Sequence, residues 1–276
     1  MKPNILITGG NGQLGTSLAK LLPHAVVTDK DQLDITQEKA VRDFVHQHRI
    51  DTIINCAAYT AVDEAESDIE RATRINVTGP ANLAKTGCKL IHISTDYVFA
   101  GNACRPYTPQ DEPNPLSIYG KTKRAGELAV LQNAAPTIII RTAWLYSTCG
   151  HNFVKTIKRL GQERDTLRVV CDQIGTPTHA DSLARAMVQI LPQMNAQTAG
   201  IYHYTDEGVC SWYDFACEII EQSALNCRVI PIPSAAYPTP APRPFYSVLD
   251  KSKIKDTFGI QIQHWKKELA ACLKQF

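Results

Sequence analysis

The segment TGGNGQLG, residues Thr8 to Gly15, separates a short apolar run near the start of the chain from a helical pattern. Its glycines Gly9, Gly12 and Gly15 have the spacing GxxGxxG. The first permits a sharp strand-to-helix turn, the second lets a pyrophosphate approach the backbone, and the third lets the helix pack closely on the sheet. Free amides and the positive end of the helix dipole then face the phosphates. The segment therefore predicts a dinucleotide-binding loop.

Short β-type runs alternate with helical patterns along the first 140 residues. This alternation predicts βαβ units, and strands that are apolar throughout indicate a sheet covered on both faces. The predicted fold class is α/β, a Rossmann-type doubly wound parallel sheet in residues 1–145, followed by a smaller C-terminal α/β part in residues 146–276 that binds substrate and returns some chain to the first domain. The predicted strands are 5–8, 25–28, 52–55, 90–93 and 137–140, and the helices between them are 14–22, 38–48, 69–85 and 121–131.

The proline-rich stretch IPIPSAAYPTPAPRP, residues 230–244, interrupts the second half of the chain. Proline lacks the backbone donor that a helix interior or a central strand needs, so the stretch predicts an extended or turn-rich loop. A loop folded over a binding cleft and a passive connection both fit this composition.

The composition excludes several classes of protein. Lys and Arg number 29 and Asp and Glu 27, so the formal net charge is +2, and nothing indicates binding to nucleic acid. The 9 cysteines are odd in number and lack the CxxC spacing of a metal knuckle, which predicts reduced thiols. No apolar run reaches the roughly 20 residues of a membrane span. We expect a soluble, cytoplasmic protein that contacts no membrane.

Acidic residues after the second strand indicate where an adenosine would bind. Asp29 lies about 20 residues after the first glycine of the loop, where a carboxylate hydrogen-bonds the ribose. This favours NADH, whereas Lys30 beside it would admit the 2′-phosphate of NADPH, and a simple turn role for Asp29 stays open. Asp34 and Ile35 are placed to contact the adenine end. The expected cofactor is NADPH or NADH.

Tyr119 and Lys123 are four residues apart in YGKTK, so a helix would turn both toward the same side. A tyrosine phenol has a pKa of about 10, and a nearby ammonium together with a positive nicotinamide ring would lower it toward neutral pH. Thr95 ends the fourth strand, where ligands of an open parallel sheet gather, and its hydroxyl would bind a substrate carbonyl beside Tyr119. This combination predicts proton transfer to or from a carbonyl oxygen, with Lys123 also holding a nicotinamide ribose.

The third strand ends in NCAA, where small side chains would let a cofactor lie against the backbone. The segment after it would reach the substrate. The complete set of predicted cofactor contacts is Gly9, Gly12, Gln13, Leu14, Gly15, Asp29, Asp34, Ile35, Ala57, Ala58, Tyr59, Thr60, Tyr119 and Lys123.

These motifs together resemble the extended short-chain dehydrogenase/reductase family. Within it they resemble the branch that reduces the C4 keto group of dTDP-4-dehydro-β-L-rhamnose during nucleotide-sugar biosynthesis. The resemblance spans almost the whole chain, and RTAWLY, DQIGTPT and SAAYPTPAPRP are specific to that branch. It implies a dTDP-sugar substrate bound mainly by residues 146–276, and a catalytic triad of Thr95, Tyr119 and Lys123. The substrate contacts expected are Val62, Thr95, Asp96, Tyr97, Trp144 and Arg243.

Two positions refine this resemblance. Sugar-nucleotide dehydratases carry an acid where this chain has Tyr97, so reduction is favoured over elimination of water. Some reductases of the branch bind Mg²⁺ at a dimer interface through a glutamate just after the glycine loop. Thr16, Ser17 and Leu18 stand there instead, so we expect no metal, and a homodimer stays possible.

Two other functions remain open from the sequence. One is an NADP-binding regulatory subunit similar to the β-subunit of methionine adenosyltransferase, which retains such a site without turning over a sugar. The other is a reductase or epimerase of a different nucleotide sugar, because loop geometry sets the substrate pocket.

Overall fold

The structure is a computed structural model that describes residues 3–133 and 135–276, and it alternates short strands with helices. The strands are β1 (Ile5–Thr8), β2 (Val26–Thr28), β3 (Thr52–Asn55), β4 (Lys89–Thr95), β5 (Thr137–Thr142), β6 (Leu145–Tyr146), β7 (Thr166–Val170), β8 (Ile174–Gly175), β9 (Thr178–His179), β10 (Gly200–His203), β11 (Cys210–Ser211) and β12 (Arg228–Ile232). The α-helices are α1 (Gln13–Leu21), α2 (Glu38–Gln47), α3 (Ile69–Thr73), α4 (Gly79–Ala84), α5 (Ile118–Val130), α6 (Phe153–Glu163), α7 (Ala180–Ile190), α8 (Trp212–Gln222), α9 (Ser252–Phe258) and α10 (Trp265–Leu273).

A six-stranded parallel sheet forms the centre, with the strand order β10-β5-β4-β3-β1-β2. Chain order reverses between β1 and β3, because β2 lies on one side of β1 and β3 on the other. In open α/β sheets a ligand crevice forms at such a switch point, beyond the carboxyl ends of the strands. The predicted α/β fold class with a doubly wound parallel sheet is confirmed.

Alternate residues of the strands supply the two cores that cover the sheet. Ile5 and Ile7 of β1 join one cluster, which includes buried side chains of α1, α7 and α9. Leu6 between them joins the other, with side chains of α2 and α4. Burial of both faces explains why the strands read as apolar runs, and it fixes the edge where the strands end.

The second half of the chain builds a separate core and also returns to the sheet. Helices α6, α8 and α10 pack around Phe215 and Trp265 over the parallel pair β7 and β12. Strand β10, however, pairs with β5 at the edge of the main sheet, and α7 packs on α1. The domain boundary at residue 145 stays a prediction, with these returns as the context for it.

Three sequence predictions differ from the structure. The helix expected over 69–85 is broken by a π-helical segment, Arg74–Thr78, directly before Pro80, which has no N–H for a regular helical bond. The proline-rich stretch is not loop throughout, since its first residues belong to β12. Pro231 is tolerated there because β12 is an edge strand of a two-stranded sheet. Strand β7 and helix α9 were not predicted.

None of the described helices combines the length and the apolar character needed to cross a bilayer. All 9 cysteines are free thiols.

Candidate active site

A cleft of about 770 Å³ opens at the carboxyl ends of β1, β3 and β4, and its volume is typical of a cofactor site. Most residues predicted for cofactor or substrate line it. They are Gly9, Gly12, Gln13, Leu14, Gly15, Asp29, Asp34, Ile35, Ala57, Ala58, Thr60, Val62, Thr95, Asp96, Tyr97, Tyr119, Lys123 and Trp144.

Two predicted contacts do not line the cleft. The ring of Tyr59 is buried beside Ala65, Ala72 and Tyr119, so this residue supports the wall rather than facing a ligand. The guanidinium of Arg243 is held at one end of the cleft by other side chains, as described below. Sequence reasoning missed Arg71 and Arg74, which do line the cleft, because the broken helix that carries them looked continuous.

The glycine loop is shaped by backbone contacts that leave no space for side chains. Gly9 has φ +69°, and a Cβ there would lie 2.7 Å from the backbone nitrogen of Ala57. A Cβ on Gly15 would collide with the carbonyl oxygen of Gly9 and lie 2.8 Å from the Cα of Gly10. No side chain of the described residues caps the N-terminus of α1, so its amides face the cleft as an anion site requires.

Replacing Gly15 with alanine should weaken NADPH binding by roughly tenfold, because overpacking of about 1–3 kcal/mol displaces the loop that faces the phosphates. Fluorescence titration with NADPH measures this. Gly87→Ala is the control, since Gly87 also has a constrained backbone, φ +74°, but no neighbour within 4 Å of the added carbon. It should lose stability and keep its affinity for NADPH. Equal affinities of Gly15→Ala and the wild type would contradict the prediction.

Asp29 is fixed at the end of β2 beside the glycine loop. Its Oδ2 accepts a hydrogen bond from the backbone N–H of Asn11 (3.0 Å), and its Oδ1 accepts one from that of Lys30 (2.7 Å). The carboxylate is therefore oriented before any ligand arrives, and Lys30 stands next to it at the cleft.

Gln13 has a structural role that its place in the glycine loop did not reveal. Its side-chain nitrogen donates to the carbonyl of Leu145 (3.3 Å), and its Oε1 accepts from Ser147 (3.1 Å) and Asn152 (3.0 Å). These bonds tie the start of α1 to the chain after β5. The partners are more than 130 residues away, so no local pattern signals them.

Tyr119, Thr95 and Lys123 come together inside the cleft. Thr95 ends β4, and its side chain lines the cleft together with the Tyr119 phenol. Lys123 lies one turn after Tyr119 on α5 and donates to the carbonyl of Ile93 (2.6 Å). Ser117 fixes the start of α5 by accepting from the N–H of Gly120 (3.1 Å), so the helix begins earlier than predicted and includes Tyr119.

Burial dominates the pKa values of the pair. It raises the pKa of the Tyr119 phenol above the ordinary value, and the nearby Thr95 hydroxyl opposes this only in part. Burial also lowers the pKa of Lys123 to about 8, against the charge of Glu127. The predicted lowering of the Tyr119 pKa is therefore wrong for the protein groups alone. A raised pKa keeps the phenol protonated at neutral pH, which suits a proton donor.

Asp96 lies directly beneath the Thr95 hydroxyl. The hydroxyl donates to its Oδ1 (3.0 Å) and accepts from the backbone N–H of Tyr97 (3.2 Å), which fixes its direction. Asp96 is 2% exposed, and burial raises its pKa to about 6 against the hydrogen bond from Thr95. Asp96 thus orients Thr95 from behind.

Aromatic side chains and an ion pair lie at the end of the cleft where Arg243 is held. Tyr97 meets Tyr119 edge to face, with 5.4 Å between ring centroids. Arg243 donates from Nη1 to the Tyr97 hydroxyl (3.4 Å) and from Nη2 to Asp63 Oδ2 (2.6 Å). Trp144 has φ +49° and stacks on Trp212 at 3.5 Å. The sequence analysis did not single out Trp212. This residue is the first of α8, which belongs to the separate core of the second half of the chain.

Within residues 3–133 and 135–276, no group of three or more His, Cys, Asp or Glu side chains is arranged to hold a metal ion. The residues after the glycine loop serve other purposes. Ser17, at the position expected for a glutamate ligand, donates to Asp181 (2.5 Å) and so joins α1 to α7.

Comparison with known proteins identifies relatives along the whole chain. A family model described as the RmlD substrate binding domain matches residues 1–276. A dTDP-4-dehydrorhamnose reductase of Aggregatibacter actinomycetemcomitans is 41% identical, covering 96% of this chain and 96% of the relative. The crystal structure of a dTDP-4-dehydrorhamnose reductase from Clostridium acetobutylicum is 43% identical with a TM-score of 0.95, covering 99% of both chains. A dTDP-4-dehydrorhamnose reductase from Bacillus anthracis, solved with NADP, is 38% identical with a TM-score of 0.94, covering 100% of both chains.

Proposed function

The chain belongs to the family described as the RmlD substrate binding domain, and from this premise we propose that it reduces the C4 keto group of dTDP-4-dehydro-β-L-rhamnose to give dTDP-L-rhamnose. The observation that carries the proposal is one cleft lined by a dinucleotide loop and by the side chains of Thr95, Tyr119 and Lys123. The reductases among its relatives, named for this reaction, support the choice of substrate.

The glycine loop and its neighbours fit a nicotinamide dinucleotide. The uncapped start of α1 would hold the pyrophosphate, and the oriented carboxylate of Asp29 would meet the adenosine ribose. Lys123 would hold the nicotinamide ribose. When bound, NADPH or NADH supplies the hydride that C4 of the sugar receives. The NADP bound to the Bacillus anthracis relative supports this cofactor class.

Tyr119 would supply the proton that completes the reduction. Its raised pKa keeps the hydroxyl protonated until the C4 oxygen gains negative charge, and the proton then passes to that oxygen. The phenolate that remains, near the Thr95 side chain in the cleft, regains a proton from water. Thr95 would also hold the sugar oxygen within reach of Tyr119.

The rest of the cleft would hold the nucleotide sugar. Trp144 would form a wall for the sugar, and Val62, Asp96 and Tyr97 would border it. Arg243 would meet the diphosphate, since its guanidinium has five N–H donors and makes two hydrogen bonds to the protein groups that the structure describes. Tyr97 stands where sugar-nucleotide dehydratases carry an acidic residue, and burial raises the pKa of its phenol to about 12, so no carboxyl group is available at this position for elimination of water.

Turnover is the direct test. The purified chain should consume NADPH or NADH when given dTDP-4-dehydrorhamnose made enzymatically from dTDP-glucose, and chromatography should detect dTDP-L-rhamnose. Heat-inactivated protein is the control. No turnover with either cofactor would overturn the proposal. Cofactor binding without turnover would favour the regulatory-subunit function, and turnover only with another keto sugar would favour a different nucleotide-sugar reductase. A homodimer and a cytoplasmic location stay predictions.

A further inference from the structure

Residues 238–244, here called the clasp loop, run from the core of the second half of the chain to the end of the cleft where Tyr97 lies. Asp63, in the segment after β3, binds this loop with both carboxylate oxygens. Its Oδ2 accepts from Arg243 Nη2 (2.6 Å), and its Oδ1 accepts from the backbone N–H of Ala241 (3.1 Å). Asp63 and Arg243 are 180 residues apart in sequence. One carboxylate therefore fixes both a side chain and the backbone of the loop.

Few hydrogen bonds connect the clasp loop to the rest of the described chain. Among the described residues, every hydrogen bond that leaves 238–244 ends on Asp63 or on the hydroxyl of Tyr97. Beside these bonds, Pro244 packs closely on Gly101. The residues that flank the loop, Tyr237 and Phe245, are 62% and 58% exposed. Ala241 is fully buried, and backbone bonds of Phe245 and Tyr246 fix the chain just after the loop, so Asp63 supplies the carboxylate that orients the Arg243 side chain within it.

The ring of Tyr97 connects the ion pair of Asp63 and Arg243 to Tyr119. Arg243 bonds the hydroxyl of Tyr97 and has its guanidinium carbon 6.0 Å from the centre of that ring. Tyr97 in turn packs edge to face on Tyr119. The guanidinium keeps unbonded N–H groups, and its side chain is 20% exposed, so it can bind an anion without leaving Asp63.

We infer that Asp63 is a positioning residue for the nucleotide sugar: it holds Arg243 and the clasp loop so that the guanidinium meets the diphosphate. The inference rests on the proposed function. A flexible arginine on an extended loop loses conformational freedom when it binds, and a carboxylate that orients it beforehand removes much of this loss. Asp63 acts through Arg243 and is not itself a contact of the substrate.

Asp63 could instead weaken the binding of the diphosphate, and removing it would then raise the affinity rather than lower it. A carboxylate beside Arg243 reduces the positive potential that a diphosphate meets, so removing it would strengthen anion binding. Positioning predicts weaker binding instead. The direction of the change in affinity therefore decides between the two.

The test uses Asp63→Asn, which keeps the shape of the side chain and an acceptor for Ala241. We expect the KM for dTDP-4-dehydrorhamnose to rise about tenfold, because a charge-assisted hydrogen bond no longer fixes the guanidinium. The value of kcat should fall by less, and the KM for NADPH should stay within about twofold. Binding of dTDP alone, measured by calorimetry, should weaken by a similar factor. This last measurement needs no turnover, so it separates failure of the inference from failure of the proposed function.

A double-variant cycle shows whether Asp63 acts through Arg243. Arg243→Met and the combination with Asp63→Asn should bind dTDP equally weakly, and Asp63→Glu should recover part of the affinity. Asp43→Asn is the matched control, because it breaks the exposed pair with Lys39 (2.6 Å) outside the cleft and should change nothing. Unchanged or tighter dTDP binding by Asp63→Asn, or additive losses in the double variant, would overturn the inference.

Discussion

Replacing Tyr119 with phenylalanine should lower kcat for the keto sugar by a factor of about 10²–10⁴, the usual contribution of a positioned acid or base. The change removes one oxygen and keeps the ring that packs on Tyr97. The KM values for the sugar and for NADPH should therefore change little. Steady-state kinetics with each substrate varied in turn measure both quantities.

The size of this loss follows from the isolation of the phenol. Tyr119 is 9% exposed, so water does not easily replace its hydroxyl as the proton donor. Thr95 lines the cleft beside it, but the Thr95 hydroxyl donates to Asp96 (3.0 Å). Lys123 is oriented toward the carbonyl of Ile93. None of these groups is placed to take over from the phenol without rearrangement.

The matched control is Tyr202→Phe, which removes a buried hydroxyl outside the cleft that donates to Thr198 (2.9 Å). It should leave kcat unchanged. Because burial keeps the Tyr119 pKa high, the wild-type rate should also show no fall through ionisation of this group at neutral pH. If Tyr119→Phe retained more than about a tenth of the wild-type kcat, Tyr119 would not be the proton donor.

Local patterns in the sequence carry the fold and the main residues of the cleft. GxxGxxG requires glycine for steric reasons that the structure displays at Gly9 and Gly15, and a spacing of four on a helix brings Tyr119 and Lys123 together. The apolar strands predicted both covered faces of the sheet. These features depend on residues that are close together in the chain, so the amino-acid sequence alone predicts them.

The remaining features depend on distant partners. Trp212 stacks on Trp144, and Asp63 binds Arg243, across separations that no periodicity encodes. For the protein groups alone the pKa of Tyr119 is raised, because burial is a property of the whole fold that local sequence patterns do not encode. Pairing of β12 with β7 depends in the same way on a tertiary contact, and it places Pro231 in a strand.

The helix that carries Tyr119 and Lys123 is anchored by a buried ion pair. Glu127, fully buried on α5, accepts two hydrogen bonds of 2.8 Å from Arg141 on β5, which is 1% exposed. Burial raises the pKa of Glu127, but hydrogen bonds and charge from Arg141 outweigh this and hold it below the ordinary value. The pair thus fixes α5 against the sheet one turn beyond Lys123.

Replacing Glu127 with glutamine should lower the free energy of unfolding by about 3–5 kcal/mol at neutral pH, because it leaves the Arg141 cation buried without a carboxylate. Urea denaturation of both proteins measures the difference. Glu163→Gln is the matched control: it changes an ion pair in which one nitrogen, Nη1 of Arg159, lies within hydrogen-bond distance of both Glu163 oxygens (3.0 and 2.8 Å), but that pair is exposed and should contribute only about 0.3–0.5 kcal/mol.

We expect the loss of stability in Glu127→Gln to come mainly from the buried Arg141 charge that is left unpaired, and less from the lost attraction between the two side chains. A second variant separates these two causes. Replacing Glu127 and Arg141 together by leucine and methionine should recover most of the stability, since apolar side chains need no partner. The pH dependence has a definite sign. The depressed pKa of Glu127 adds stability above the unfolded value of 4.5 and loses it as the pH falls through the folded value, so the gap between wild type and Glu127→Gln should narrow in acid. A loss below about 1 kcal/mol at neutral pH, or a double variant no more stable than Glu127→Gln, would show that the ion pair does not anchor the catalytic helix.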